Sequence, residues 1–272
     1  MGGDSGASRE YAGRDQPFEH ERERLTELAR QLDPHTQRAM RGCGLAIGWH
    51  CLEIGAAVGS MSRWLAEQVG PEGRIVACDI DTRFLNELEL PNLEVRQLDV
   101  RSDALEPERF DLAYCRTLLL HLPEPVEALR NMLAALKPGG WLLVQEPDVG
   151  SISAENLDHP EAEAFSRSSH KLYRWLRDND VFDPYLGRRL RGFLEDLALE
   201  AIGCDATTQI VRGGSPEVKL AIRTLAAMEP LLRARGALSE AELALLYRLY
   251  RDPGFGHVNS VQFAAWGRKP TH

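Results

Sequence analysis

The ten residues from Cys51 to Ser60, CLEIGAAVGS, decide the fold. Their first part is an apolar strand end, and Gly55, Ala57 and Gly59 follow at alternate positions. Met61, Trp64, Leu65 and Val69 then recur at helical spacing until Gly70 and Pro71 stop the run. A strand, a glycine-rich turn and a helix in direct succession form a common seat for a nucleotide-like cofactor, because the turn lets backbone approach the ligand.

Working outward, the same alternation repeats. Apolar strand-like runs lie at 74–78 (ending at Asp79), 93–98 (ending at Asp99), 110–115 and 141–145. Between them Phe84, Leu85 and Leu88 mark a short helix. Val126, Leu129, Leu133 and Leu136 mark another, closed by Lys137-Pro-Gly-Gly140. Strands apolar on both faces and joined by helices predict a parallel sheet covered on both sides, a doubly wound α/β fold. Ligands in such sheets bind beyond the carboxyl ends of the strands, which directs attention to 55–60, 79–81, 99–101, 115–121 and 146–151.

Four segments follow from this pattern. Residues 1–17 are a polar, flexible lead-in. Residues 18–150 hold the core, preceded by a charged amphipathic helix over 18–32 with Leu25, Leu28 and Leu32 on one side. Residues 151–204 are a helical cap. Residues 205–272 return to the sheet through strands at 206–211 and 258–266, with a helical insertion at 216–250. There, Ser239 and Glu242 have capping-box spacing.

Composition narrows the partners. The 272-residue chain has 32 Lys and Arg against 41 Asp and Glu, a net charge of −9, which disfavours a phosphate backbone as partner. No apolar run approaches the ~20 residues needed to span a bilayer, and the N-terminus lacks a secretion signal, so a soluble, cytoplasmic protein is expected. The five cysteines form no CxxC pair and show no metal-ligand spacing with the histidines, so no metal is expected.

A dinucleotide loop of the GxGxxG kind fits poorly here, since Gly59 falls one place early. The pattern Glu53-x-Gly55-x-Ala57-x-Gly59 instead resembles the first motif, (D/E)xGxGxG, of class I S-adenosylmethionine (SAM) methyltransferases. Asp79 after strand two, Asp99 and Val100 after strand three, the Phe110–Arg116 strand and the Lys-Pro-Gly-Gly turn complete the set in order and spacing. The resemblance covers roughly residues 11–150 and the last strand, and is nearest to bacterial small-molecule methyltransferases, including natural-product tailoring enzymes. It implies a Rossmann-like, mostly parallel seven-stranded sheet with helical cap insertions, SAM as cofactor and a small-molecule acceptor.

Carried over, the resemblance implies that Glu53 opens the motif, while Gly55, Ala57 and Gly59 admit the methionine part and the ribose. Asp79 would hold the ribose hydroxyls and Ile80 pack on the adenine. Asp99 would accept from the adenine amino group beside the Val100 backbone, and Arg116 would lie near the methionyl end. Tyr11 and Arg24 resemble a lid that approaches the cofactor carboxylate. Ala57 is the departure from the pattern: its Cβ disfavours a left-handed φ by ~1–2 kcal/mol, whereas at negative φ only a methyl group is added.

Methyl transfer to a hydroxyl needs the acceptor held in line with the methyl group and a base near neutrality. His121, on the loop after strand four, is the first candidate. Glu146 and Asp148 after strand five, and His170 with Tyr173 and Trp175 on the cap, are further candidates, and His257 is a weaker one. Each could equally serve a structural hydrogen bond. No GxSxG elbow, Walker loop or HExxH competes. The expected activity is methylation of a small molecule, at oxygen first, with carbon and nitrogen left open. Two alternatives stay open: a SAM-binding protein that catalyses a cyclisation or pericyclic step, and a non-catalytic interaction protein with a degraded loop. The sequence leaves monomer and homodimer both open.

Overall fold

The computed structural model describes residues 17–271. Expectations placed on Tyr11 and the lead-in therefore lie outside the described residues. The main sheet begins with β1 (His50–Ile54), β2 (Arg74–Asp79), β3 (Leu93–Gln97), β4 (Phe110–Arg116) and β5 (Leu136–Asp148), paired in parallel. β6 (Ser153–Ala154), β8 (Ile210–Arg212) and β9 (Gly256–Val258) form a separate sheet; β7 (Glu200–Thr207) and β10 (Val261–Arg268) complete the first.

Strand order in the main sheet is β3-β2-β1-β4-β5-β10-β7, with β10 antiparallel to both neighbours. Order reverses between β1 and β4, which puts the switch point above Gly55 and Arg116. The sheet is therefore the expected seven-stranded, mostly parallel one.

Helices cover both faces: α1 (Phe18–Gly42), α2 (Ser60–Val69), α3 (Pro125–Ala135), α4 (Ala162–Asp178), α5 (Leu190–Asp196), α6 (Lys219–Ala234) and α7 (Glu240–Arg251). One apolar cluster includes Leu52, Val76, Leu129 and Leu142; another, on the opposite face, joins Met40, Cys51, Leu65 and Leu143. A third, centred on Phe165, Leu232 and Phe255, belongs to the cap. α7 starts on the expected capping box, Ser239 Oγ accepting from the Glu242 amide.

Several boundaries differ from expectation, among them β5, which runs over 136–148 instead of 141–145, and the last strand, which runs over 261–268 instead of 258–266. α1 continues to Gly42 instead of stopping at 32, passing through Pro34, because His35, Thr36, Ala39 and Met40 are buried on the sheet and offset the lost backbone bond. The helix expected around Phe84 is a single 3-10 turn, Leu85–Glu87. The strand expected over 206–211 is split: β7 starts at Glu200, so the sheet resumes before 205, and β8 joins the small sheet. That three-stranded sheet was not anticipated at all. Among the described residues no helix is long and apolar enough to cross a membrane.

Candidate active site

The loop after β1 is held from below by β2. The amides of Gly55 and Ala56 donate to the Cys78 carbonyl at 2.8 and 3.1 Å. Gly55, Ala57 and Gly59 all have left-handed φ, +74°, +51° and +69°. At Gly59 a Cβ would also collide with Leu88, so glycine is required there on two counts. Ala57 tolerates the same conformation only at a cost of about 1 kcal/mol or more. What holds it is Asp79, whose Oδ2 accepts from the Ala57 amide at 2.9 Å while Oδ1 accepts from the Asp81 amide at 3.0 Å. Burial raises the Asp79 pKa, and these two amides oppose the rise.

A cavity of about 400 Å³ opens above this loop. Its lining includes, along the strand order from β3 to β4, Asp99 and Val100, then Asp79 and Ile80, then Gly55 and Ala57, then Arg116. Glu53 and Gly59 do not line it. Glu53 is buried beneath the loop, where its Oε2 accepts from Ser62 Oγ at 2.5 Å and burial lifts its pKa to about 7. It ties α2 to β1. Gly59 is the residue before α2 and sets the angle of that helix.

Four details bear on whether the cofactor fits. Ile80 stays 45% exposed, an uncovered apolar platform on the cavity wall. Each Asp79 oxygen spends one lone-pair direction on a backbone amide, leaving others for hydroxyl donors. Asp99 is already engaged: Arg101 Nε and its second nitrogen donate to both carboxylate oxygens, so an adenine amino group would have to share them. Arg116 is held by Asp33 at 2.9 Å and donates to Thr36 Oγ1 at 3.0 Å, which fixes α1 against β4. The residues fit a ribose and an adenine.

A second cavity, about 240 Å³, lies between α1, α4, α6 and the ends of the sheet. The two share four lining residues: Arg24, Leu28, Thr117 and His121. They meet at the loop after β4. Glu146 fixes that loop, its Oε1 accepting from the amides of Leu118 at 2.9 Å and Leu119 at 2.7 Å. Burial raises the Glu146 pKa to about 8. Thr117 bends with φ +51°, a strained conformation for a β-branched residue. His121 packs edge-on to Phe182 with ring centres 5.9 Å apart.

The remaining expected residues divide. Arg24 reaches both cavities and receives a bidentate hold from buried Glu21, at 2.9 and 2.6 Å. Tyr173 lines the second cavity, as does His257, to which sequence reasoning gave least weight. Asp148 lines neither cavity: it is buried and paired with Arg188, an anchor of the cap to β5. His170 faces solvent on the outer side of α4, whose buried face runs through Phe165, Leu172 and Leu176. Thr117, at the junction, was missed. Only its place directly after a strand in a doubly wound sheet could have signalled it.

Comparison with known proteins decides the family. A methyltransferase-domain family matches residues 18–202. The chain belongs to this methyltransferase family. Its cofactor is SAM. Methyltransferase str3 of Strobilurus tenacellus is 33% identical over 147 residues, 53% of this chain and 50% of that protein. The ubiquinone/menaquinone biosynthesis C-methyltransferase UbiE of Pseudomonas aeruginosa is 29% identical over 172 residues, 60% of this chain and 66% of that protein. The chain thus spans about half to two thirds of these relatives. Among solved structures, the YcgJ protein of Bacillus subtilis aligns with TM-score 0.53 at 17% identity, over 86% of this chain and 97% of that one. The [4+2]-cyclase SpnF aligns with TM-score 0.51 at 19% identity, over 88% and 81%. Both likenesses are of fold.

Proposed function

We propose that this methyltransferase methylates a hydroxyl of a small-molecule acceptor, of natural-product type, lodged in the second cavity. One observation carries the proposal: the cofactor cavity and a mostly apolar chamber meet at Thr117 and His121. SAM, when bound, supplies an electrophilic methyl group. Asp79 and Gly55 would hold its nucleoside and the part that passes the loop backbone, and Ile80 would pack on the adenine. Thr117 and the Glu146-held loop fix where the acceptor stops, so proximity and alignment do much of the work. His121 accepts the proton that the acceptor hydroxyl gives up. The α1 helix closes the side of both cavities and keeps water out.

The test is calorimetric binding of SAM, S-adenosylhomocysteine and NAD, followed by methyl-transfer assays with hydroxylated naphthalenes and quinols. SAM and S-adenosylhomocysteine binding without NAD binding, and methyl transfer that His121→Ala slows, are expected. Transfer that survives intact in His121→Ala would remove the base from the proposal.

One finding favours a second reading. Ala57 is strained inside the cofactor loop, which is compatible with a protein that keeps SAM bound for a non-methylating step. Product formation with SAM unconsumed would establish that reading and displace the first.

A further inference from the structure

The acceptor chamber has a mostly apolar wall, with Leu28, Ile152, Leu172, Phe182 and Met228 among its lining. Among the described residues only two of its lining side chains are permanently charged, and both are engaged. Arg24 is bonded to Glu21, and Glu217 lies 3.7 Å from Arg30. No cation is left over to hold a phosphate or carboxylate. Yet four lining residues carry a buried polar atom with no hydrogen-bond partner in the protein: His35 Nε2, which has the Asp205 carboxylate 3.5 Å away, and Thr117 Oγ1, His257 Nδ1 and Gln262 Oε1, which have no such neighbour.

Buried polar atoms are normally paired, and leaving one unpaired costs about 1–3 kcal/mol. With His35 set aside beside Asp205, three on one apolar cavity need a common account. Thr117 belongs to the junction already described. His257 and Gln262 do not; they line the chamber alone. The Gln262 amide is oriented by its own Nε2, which donates to Ser260 Oγ at 2.9 Å, so the atom left over is a pure acceptor. His257 is 2% exposed on β9, flanked by the rings of Phe165 and Tyr250 at 5.8 and 5.3 Å. Burial lowers its pKa to about 4, so the ring is neutral and one of its nitrogens is an acceptor.

Resting on the acceptor chamber proposed above, we infer that the acceptor is an uncharged, lipophilic molecule with a hydroxyl or N–H donor remote from the methylated position, read by Gln262 Oε1 and His257 Nδ1. A site that hydrogen-bonds a donor rejects analogues without it strongly, because its own buried acceptors then stay unpaired. An anion is rejected because nothing in the chamber neutralises it.

Three probes test this, each titrated calorimetrically into the full chain saturated with S-adenosylhomocysteine: 1,5-dihydroxynaphthalene, 1,5-dimethoxynaphthalene and 1-naphthyl phosphate. The dihydroxy compound should bind at least about tenfold more tightly than either other probe. Gln262→Leu and His257→Leu should each reduce that preference by about tenfold while leaving dimethoxynaphthalene affinity unchanged. His257→Asn, whose amide oxygen can stand where Nδ1 does, should retain it. His257→Leu should melt no lower than the parent, since it removes an orphaned polar atom, so loss of preference would not reflect unfolding. Equal or tighter binding of the phosphate overturns the inference, as does a preference indifferent to both leucine substitutions. If S-adenosylhomocysteine binds but no naphthalene does, the acceptor class is wrong and the methyltransferase reading stands. If S-adenosylhomocysteine itself fails to bind, both fall.

Discussion

The Ala57 amide reaches Asp79 Oδ2 at 2.9 Å from a backbone turned to φ +51°. The residue expected to hold the ribose thus also holds the one non-glycine position of the loop in its left-handed state. Ligand contact and loop shape depend on the same carboxylate.

Ala57→Gly should therefore stabilise the fold. Release of left-handed strain, ~1–2 kcal/mol, exceeds the ~0.4–1 kcal/mol of extra chain entropy that glycine brings to the unfolded state. A rise of about 1–3 °C in Tm with SAM affinity equal or better is expected, measured by calorimetry. A fall in Tm would mean that the Cβ makes a contact worth more than the strain. Asp79→Ala should lower SAM affinity by tenfold or more, through lost hydrogen bonds to the hydroxyls and a loosened Ala57.

Glu146 carries a pH signature. Its carboxyl has a folded pKa of about 8 against an ordinary value of 4.5, so the folded state retains a proton that the unfolded state releases. Its contribution to stability is fully present below about pH 4.5 and is lost as pH rises toward 8. Glu53, at about 7, acts in the same direction over a narrower window. His257, lowered to about 4, acts oppositely, its contribution being lost as pH falls from 6.5 toward 4. Glu146→Gln isolates the first effect. The amide oxygen still accepts from Leu118 and Leu119, and the variant should gain on the parent from pH 5 to about pH 8 and level off above it. Parallel denaturation curves at both pH values would show Glu146 ionised in the fold.

Breaking the pair between Asp33 and Arg116 should be costly. Arg116 is 11% exposed, and Asp33→Ala leaves its charge without the carboxylate 2.9 Å away. A loss on the order of 3 kcal/mol in urea denaturation is expected, with Arg116→Met in the same background recovering part of it. Additive losses in the double variant would show that the two do not interact.

The catalytic candidates should separate cleanly in one assay. His121→Ala should cut kcat by about 10²–10⁴ with SAM binding unchanged. Asp148→Asn should lower Tm by weakening the Arg188 anchor while kcat stays near the parent value. His170→Ala, on the solvent face of α4, should change neither. A kcat defect in His170→Ala with normal stability would place that helix face in the chemistry after all.

Where local pattern and long-range packing agree, the chain could be read directly. β1, its loop and α2 announce themselves because a buried parallel strand has no polar face and the turn beyond it needs glycine at Gly55 and Gly59. Asp79 and Asp99 were legible as strand-end carboxylates for the same reason. β6 and β8 were not, since two or three residues carry no period. Asp148 looked like a site residue because its partner, Arg188, lies 40 positions away. His170 and Tyr173 share helical spacing, but the buried stripe of α4 passes on the Tyr173 side. Gln262 and the junction hydroxyl of Thr117 had no signal of their own: what distinguishes them is an unmet hydrogen bond, which exists only once the chain has folded.

Arg24 and Leu28 sit on α1, and each borders both cavities. Whatever free energy an acceptor gains or loses by shifting that helix is exchanged, in equal amount, with the cofactor across it. An acceptor that tightens α1 slows the escape of spent S-adenosylhomocysteine, and an acceptor that loosens it hastens the exchange. Size at Leu28, on the helix that borders both cavities, is thus a dial on turnover as much as on fit.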